Sequence, residues 1–197
     1  MATPKITSKR HVKKGGGGSG IRLTQIRTVD GQLLRRGCIV CCRLALAWEH
    51  SGVYVGKGEI IHLINEKTRD GRDGRLVKTR PRAFLELMEG RNPAWSVYVA
   101  CNGDGEPLRS ESCAKKAEYE LKLREQSFYY GNYSAFFRNC HHFSGDCLIG
   151  YHRLEEETVW GKLCSAMKPW SLGFSWLENS LEKEHGSFRW VECELES

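Results

Sequence analysis

The sequence predicts a single domain that mixes β-strands with α-helices, preceded by a basic, glycine-rich tail. Two observations support this class: an apolar run followed by a hairpin pattern in the first half of the chain, and helix-capping signals in the second half. The chain has 197 residues, which is somewhat more than a typical domain of about 100 to 150 residues. We therefore expect the additional length in tails and insertions.

The predicted strands come first in the chain. The apolar run 37–43 predicts a buried strand. Residues 52–56 and 59–64 predict two further strands joined by two residues, the pattern of a β-hairpin. A fourth strand is expected at 94–100. The polar stretch 65–82 carries two Asp-Gly pairs, so we expect an exposed excursion there rather than core.

Helix signals follow the strands. A proline in the first turn and a glycine beyond the end predict a short helix over 81–88. A second helix, capped by Ser110 or Ser112, is expected to run to about Gln126. The last segment, 152–197, holds four tryptophans among charged residues, and we expect it to be an extension packed on the domain.

The positive charge is concentrated at the N-terminus. The net charge is +6, and residues 1–20 hold five lysines and arginines and no acid, so the rest carries only +1 (6 − 5). Because glycine-rich, charged segments do not bury apolar surface, we expect a disordered, solvated tail. Peripheral contact of this tail with an anionic membrane is the alternative, and nucleic-acid binding is disfavoured.

Cysteine usage and hydropathy predict the compartment. No apolar signal core follows Met1, and no run approaches the roughly 18 apolar residues of a membrane span. The nine cysteines are therefore interpreted as reduced thiols. We expect a cytoplasmic protein, soluble or peripheral to a membrane.

The stretch Asn139-Cys-His-His142 places a cysteine at the start of a third predicted helix, with Asn139 as N-cap. At a helix N-terminus, amides and the macrodipole favour a thiolate and can stabilise an oxyanion. Cys140 is thus a candidate nucleophile, with Asn139 and the Cys140 amide as oxyanion or positioning groups. For this cysteine alone, a buried inert thiol is the competing interpretation.

A zinc site is the other interpretation of this stretch. Its four candidate ligands are Cys140, His141, His142 and Cys147. Adjacent side chains on a helix point about 100° apart, so these four would not converge. We therefore expect no metal and no cofactor.

Two upstream histidines complete a wider pattern. The motif H-x-G-V-Y-V-G-x-G-x-I-I-H-L over 50–63, followed by N-C-x-H-F over 139–143, resembles the lecithin:retinol acyltransferase-like family. This family is a circularly permuted branch of the NlpC-type papain-like cysteine hydrolases. The resemblance covers roughly residues 34–151 and implies an α+β fold, an antiparallel sheet with packed helices. It also implies a catalytic domain over 21–151.

The resemblance further implies the site residues. Cys140 takes the position of the nucleophile, His50 that of the base, and His62 that of the residue that orients the base. His142 matches a fixed histidine of the motif and is expected to be structural. The residue between the cysteine and that histidine is usually acidic in the family, whereas here it is His141.

The activity implied is a thiol-dependent acyltransferase or phospholipase. Such an enzyme cleaves an acyl ester of a phospholipid through a cysteine thioester and passes the acyl group to water, an amine or an alcohol. Two alternatives remain open at this point. One is a cysteine peptidase or amidase of the same superfamily, and the other is a non-enzymatic binding module that retains the fold.

The strand register decides whether the two histidines meet. A tight turn after residue 56 would place His62 opposite Val53 and put His50 on the other face of the sheet. An extra residue at Gly58 is expected instead. It pairs His62 with Tyr54 and returns both histidines to one face, about four residues or roughly 13 Å apart.

Overall fold

The computed structural model describes residues 26–44, 48–67, 73–86, 96–134, 138–150 and 169–194. The predicted tail and the predicted boundary at residue 151 both lie outside these ranges. That division of the chain therefore stays a prediction.

The described part of the chain is built around one antiparallel sheet, whose strands differ in length. Its seven strands run in the order β1-β7-β6-β2-β3-β4-β5, and every neighbouring pair is antiparallel. The strands are β1 (Arg27–Thr28), β2 (Ile39–Leu44), β3 (Trp48–Gly56), β4 (Glu59–Lys67), β5 (Asp73–Thr79), β6 (Val97–Cys101) and β7 (Arg189–Glu194). The strand predicted at 37–43, the hairpin and the strand predicted near 94–100 are confirmed.

The helices lie beside this sheet. They are α1 (Pro81–Leu85), α2 (Glu111–Leu123) followed by a short 3-10 turn (Arg124–Gln126), α3 (Cys140–Ile149) and α4 (Pro169–His185). Ser110 caps α2, since its side chain accepts a hydrogen bond from the Cys113 amide. The predicted helix starts at Pro81 and Cys140 are also confirmed. Together with the sheet, these helices form the predicted α+β fold.

The core lies on both faces of the sheet. One face is covered by α1 and carries Val40, Cys42, Tyr54, Ile60 and Phe84. The other face is covered by α2, α3 and α4 and carries Val53, Ile61, Ala117, Phe143 and Leu177. Residues 140–148 of α3 are all buried, as expected of a helix enclosed by other elements on every side.

An extra residue in β3 sets the register of the hairpin. Gly56 pairs with Glu59 around the two-residue turn, but the next pair is Tyr54 with Ile60. One residue of β3, Val55, therefore has no counterpart on β4. The bulge lies in the first strand of the hairpin and not in the turn.

The expectation of an extra residue at Gly58 is therefore wrong, and the difference matters for the histidines. His62 lies against Gly52 and not against Tyr54, because a Cβ built on Gly52 would be only 3.1 Å from that of His62. Gly52 and His50 are two residues apart in β3 and share a face. The histidines are thus close enough for direct contact, which a glycine at position 52 permits.

The polar segment 65–82 was expected to be an exposed excursion, but part of it is a strand of the sheet. Its middle forms β5, which pairs with β4 along most of its length. Arg75 and Lys78 of this strand are exposed. Among the described residues, β5 is the last strand at one edge of the sheet. Charges are common on edge strands because they prevent pairing with other chains, so a polar composition did not exclude a strand here.

The C-terminal residues are part of the same structure. α4 packs against α3, and β7 lies between β1 and β6 in the sheet. Trp190 of β7 stacks on Phe174 of α4 at a ring-centroid distance of 5.9 Å. None of the described helices has the length and apolar character needed to cross a bilayer.

Candidate active site

The site is built around the first turn of α3. Asn139 is in an extended conformation, and its Oδ1 accepts hydrogen bonds from the amides of His141 and His142 at 3.0 and 3.2 Å. The same oxygen lies 2.9 Å from His142 Nδ1, which therefore donates to it. Asn139 is the predicted N-cap, and its side-chain oxygen is fully used in that role.

The Cys140 side chain lies at this helix start and is only 3 % exposed. The amides of Ser51, His141 and Cys140 itself and the hydroxyl of Ser51 all favour its thiolate form. Burial outweighs them and raises the pKa of the thiol to about 11. The helix start favours the thiolate, as expected, but loss of hydration has the larger effect, so the net shift of the pKa is upward.

The two predicted histidines form a hydrogen-bonded pair. His50 Nε2 lies 3.0 Å from His62 Nδ1. His62 Nε2 in turn lies 2.8 Å from the hydroxyl of Thr79 in β5. Each imidazole packs against the buried ring of Phe84 from α1, at a ring-centroid distance of 5.0 Å. The side chains of His50, His62 and Thr79 therefore form a row across β3, β4 and β5, and the ring of Phe84 packs against both imidazoles.

Both imidazoles are neutral at neutral pH. Burial lowers the pKa of His50 well below its usual value, with further contributions from His62 and His141. Burial also lowers the pKa of His62 to about 3. Neutral imidazoles can accept a proton, which is the state required of a general base.

The structure therefore brings His50 and His62 into contact and holds Cys140 beside the next residue of β3, Ser51. The hydrogen-bonding groups that act on the sulfur are those of Ser51 and of the α3 start, and His50 is not among them. Nδ1 of His50 makes no hydrogen bond within the described residues, so this nitrogen remains for a reacting group. The roles of Cys140, His50 and His62 stay predictions.

Three residues of this site, Ser51, Thr79 and Phe84, were not identified from the sequence, and the contacts of the His141 side chain were not predicted. His141 Nδ1 lies 3.0 Å from Ser51 Oγ, and its Nε2 lies 3.1 Å from the carbonyl oxygen of Glu49. Within the described ranges, no group of three or more histidine, cysteine or acidic side chains is arranged to hold a metal ion.

Comparison with known proteins identifies a family. A profile described as lecithin retinol acyltransferase matches residues 32–153. Neither the curated proteins nor the solved structures contain a match to the chain. The profile and the antiparallel sheet confirm the α+β, circularly permuted papain-like class that the motifs implied. Because the match spans more than half of the chain, the protein belongs to the lecithin retinol acyltransferase family, whose members are typically acyltransferases or hydrolases.

Proposed function

We propose that this chain is a thiol-dependent acyltransferase or phospholipase that cleaves an acyl ester of a phospholipid through a thioester on Cys140. The observation that carries the proposal is the row from Thr79 through His62 to His50. The row ends at His50. The next residue of β3 is Ser51, whose amide and hydroxyl lower the pKa of the Cys140 thiol. Acyl transfer to cysteine requires a thiol and a base. This site has a buried thiol at a helix start and a neutral imidazole oriented by hydrogen bonds.

The direction of the hydrogen bonds decides which nitrogen of His50 is basic. In the tautomers that suit a base, His62 donates from Nε2 to Thr79 and accepts at Nδ1 from the Nε2 proton of His50. The lone pair of His50 is then on Nδ1. When His50 gains a proton there, its Nε2 donates more strongly to His62, and this stabilises the imidazolium.

The reaction has two halves. In the first, the Cys140 sulfur attacks the carbonyl carbon of the ester while its proton passes to His50. The ester C–O bond then breaks, and the leaving lysophospholipid oxygen takes that proton. In the second, His50 removes a proton from water, an amine or an alcohol as that acceptor attacks the thioester. The C–S bond breaks, and the proton returns to the sulfur.

The oxyanion formed in both halves needs hydrogen-bond donors. Asn139 Oδ1 accepts hydrogen bonds from the amides of His141 and His142. The amide of Cys140 lies beside the sulfur, and we propose it as the donor to the oxyanion. This amide points from the positive end of α3, where negative charge is favoured. Asn139 contributes to this arrangement by holding the helix start in place.

The proposed partner is a phospholipid surface. The basic tail, residues 1–20, is proposed to add peripheral contact with anionic lipid. Such contact weakens as salt concentration rises, because surface charges are screened beyond about 10 Å at 0.1 M salt.

Two substitutions of Thr79 test the proposal. Thr79→Val removes the acceptor of the His62 Nε2 proton and leaves a buried donor without a partner, which typically costs about 1 to 3 kcal/mol. We expect roughly tenfold slower fatty-acid release from phosphatidylcholine vesicles, whereas the matched control Thr79→Ser keeps the hydroxyl and stays close to the wild type. Absence of acyl release by the wild type would contradict the function, and equal rates for the two variants would contradict the role of the row.

A further inference from the structure

The two imidazoles of the row share one aromatic neighbour. The ring of Phe84 lies 5.0 Å from that of His50 and 5.0 Å from that of His62, measured between centroids. The imidazoles are themselves 5.0 Å apart, with their planes at 86°. The three centroids thus form a triangle with equal sides, in which each ring contacts the other two. Phe84 and His62 are 0 % exposed and His50 is 7 % exposed, so water has little access to this triangle.

Hydrogen bonds alone do not fix the ring of His50. His62 is held at both ring nitrogens, by His50 and by Thr79. His50 has one hydrogen bond among the described residues, through its Nε2. Rotation of an imidazole about its Cβ–Cγ bond has broad minima, so one hydrogen bond leaves the ring room to turn. The ring of Phe84 packs against this imidazole at 44° between planes and restricts that rotation.

The segment that carries Thr79 also carries Phe84. Thr79 is the last residue of β5, and α1 begins two residues later at Pro81. Proline fixes φ and suits the first turn of a helix, and the amide of Phe84 donates to the carbonyl oxygen of Arg80 at 2.9 Å. The aromatic ring therefore has a defined position relative to the threonine hydroxyl, and one short segment supports both imidazoles.

We infer that Phe84 is a positioning residue for the proposed base, which holds the ring of His50 in line with His62 and keeps water away from both imidazoles. The inference rests on the proposed role of His50 as general base. An imidazole in water is protonated below about pH 6.5 and exchanges between its two tautomers. A base needs a neutral ring whose lone pair stays on one nitrogen, and a packed, dry environment provides this.

The titratable groups that face His50 from other elements are neutral near pH 7. Cys42 of β2 lies opposite it in the strand register. From α3, His141 interacts with it electrostatically, and Cys140 is its proposed reaction partner. Burial raises the pKa of both thiols and lowers that of His141 to about 4. The charge state of His50 therefore depends mainly on how well the site excludes water.

Among the described residues, the other elements bring no charge to His62. Its partner in the register of β5 is apolar, Val77. On α1, Arg82 and Glu86 are exposed and form an ion pair with each other at 2.9 Å. Hydration is therefore the property of the imidazole pair that a smaller side chain at position 84 would change most.

The test is an NMR titration of the ring nitrogens of His50 and His62 in the wild type and in Phe84→Leu. Burial lowers the pKa of His62 to about 3 and that of His50 well below its usual value, so both wild-type rings should stay neutral, each in one tautomer, down to about pH 5. In Phe84→Leu both pKa values should rise by about 1 or more towards 6.5, and His50 should show mixed tautomers.

The same variant should change turnover in a defined way. We expect kcat for fatty-acid release from phosphatidylcholine vesicles to fall roughly tenfold, because the base is misplaced in part of the molecules. KM should stay unchanged, since Phe84 acts through the imidazoles and not on the lipid. The acid limb of the pH profile should move to higher pH, because a wetter imidazole is protonated earlier as the pH falls.

The matched control is Leu85→Ala. Leu85 is buried in the same helix and the same apolar core but is not one of the three rings, so this variant should melt at a lower temperature and keep the wild-type titrations. If Phe84→Leu does not fold, Phe84→Met decides, because methionine is flexible and has no flat ring. Unchanged titrations in the position-84 variant, the same shift in Leu85→Ala, or wild-type titrations near pH 6.5 would overturn the inference. The titration needs no lipid, so failure of the wild type to release fatty acid counts only against the proposed function.

Discussion

Cys140→Ser is expected to abolish acyl transfer from phosphatidylcholine, with at least a 1,000-fold loss, roughly 4 kcal/mol or more in the barrier. One atom changes, but a serine hydroxyl has a much higher pKa than a thiol, and the imidazoles of this site are poor bases. Burial lowers the pKa of His62 to about 3 and that of His50 well below its usual value. These groups can share the proton of a thiol but not that of an alcohol.

The matched control for this loss is Cys147→Ser. Cys147 lies in the same helix, is 1 % exposed, and packs in the apolar core beneath α3. Its substitution should lower the melting temperature, because a buried hydroxyl costs about 1 to 3 kcal/mol there, and should leave turnover of the folded protein unchanged. Fatty-acid release and thermal unfolding of both variants give the comparison. Turnover by Cys140→Ser close to that of the wild type would rule out the nucleophile.

Strong acid sensitivity of the fold is the second large effect. Burial depresses the pKa of His50, His62 and His141 in the folded chain, to about 3 for His62 and about 4 for His141. In the unfolded chain each titrates near 6.5. Below that pH the unfolded state binds protons that the folded state does not, so stability is complete above about 6.5 and is lost as the pH falls towards 4.

The size of this effect follows from the number of histidines. Each contributes up to about 1.4 kcal/mol per pH unit, so three contribute roughly 4 kcal/mol per unit once the pH is well below 6.5. Urea unfolding between pH 8 and 5 measures the free energy of unfolding at each pH. His62→Gln should reduce the slope by about a third. A free energy of unfolding that stays constant between pH 7 and 5 would show that these imidazoles are not buried in the neutral form.

Local sequence was sufficient for some parts of the site. The N-cap of α3 depends on Asn139 and on amides within three residues of it, and the hairpin depends on a two-residue turn. Such features are set by neighbours in the chain, so spacing and residue type predict them. The motif over residues 50–63 also selected the two histidines that prove to be in contact at 3.0 Å.

The rest of the site depends on contacts between distant residues. Thr79 meets His62 only because β5 pairs with β4, and no motif marks its segment as a strand. Ser51 meets His141 only because α3 packs on β3. The pKa of Cys140 was expected to fall from the helix start alone, but its direction is set by the surrounding core, which the sequence does not show residue by residue.

β7 illustrates the same limit for the fold. Arg189–Glu194 enters the sheet between β1 and β6, although the sequence places these residues in a segment expected only to pack on the domain. Half-buried strands of six residues resemble other short mixed segments in periodicity, so they are recognised by their partners rather than by their own pattern.

The central claim, that Cys140 carries an acyl group during turnover, is tested most directly by peptide mass spectrometry of the wild type after brief mixing with phosphatidylcholine and an acid quench. The account predicts a mass increment of one fatty-acyl group on the peptide that contains Cys140, removable by hydroxylamine as expected of a thioester. His62→Ala should slow its formation, and Cys140→Ser should not show it. Release of fatty acid by the wild type with no acyl adduct on Cys140 at any time, or an adduct on another cysteine, would contradict the account.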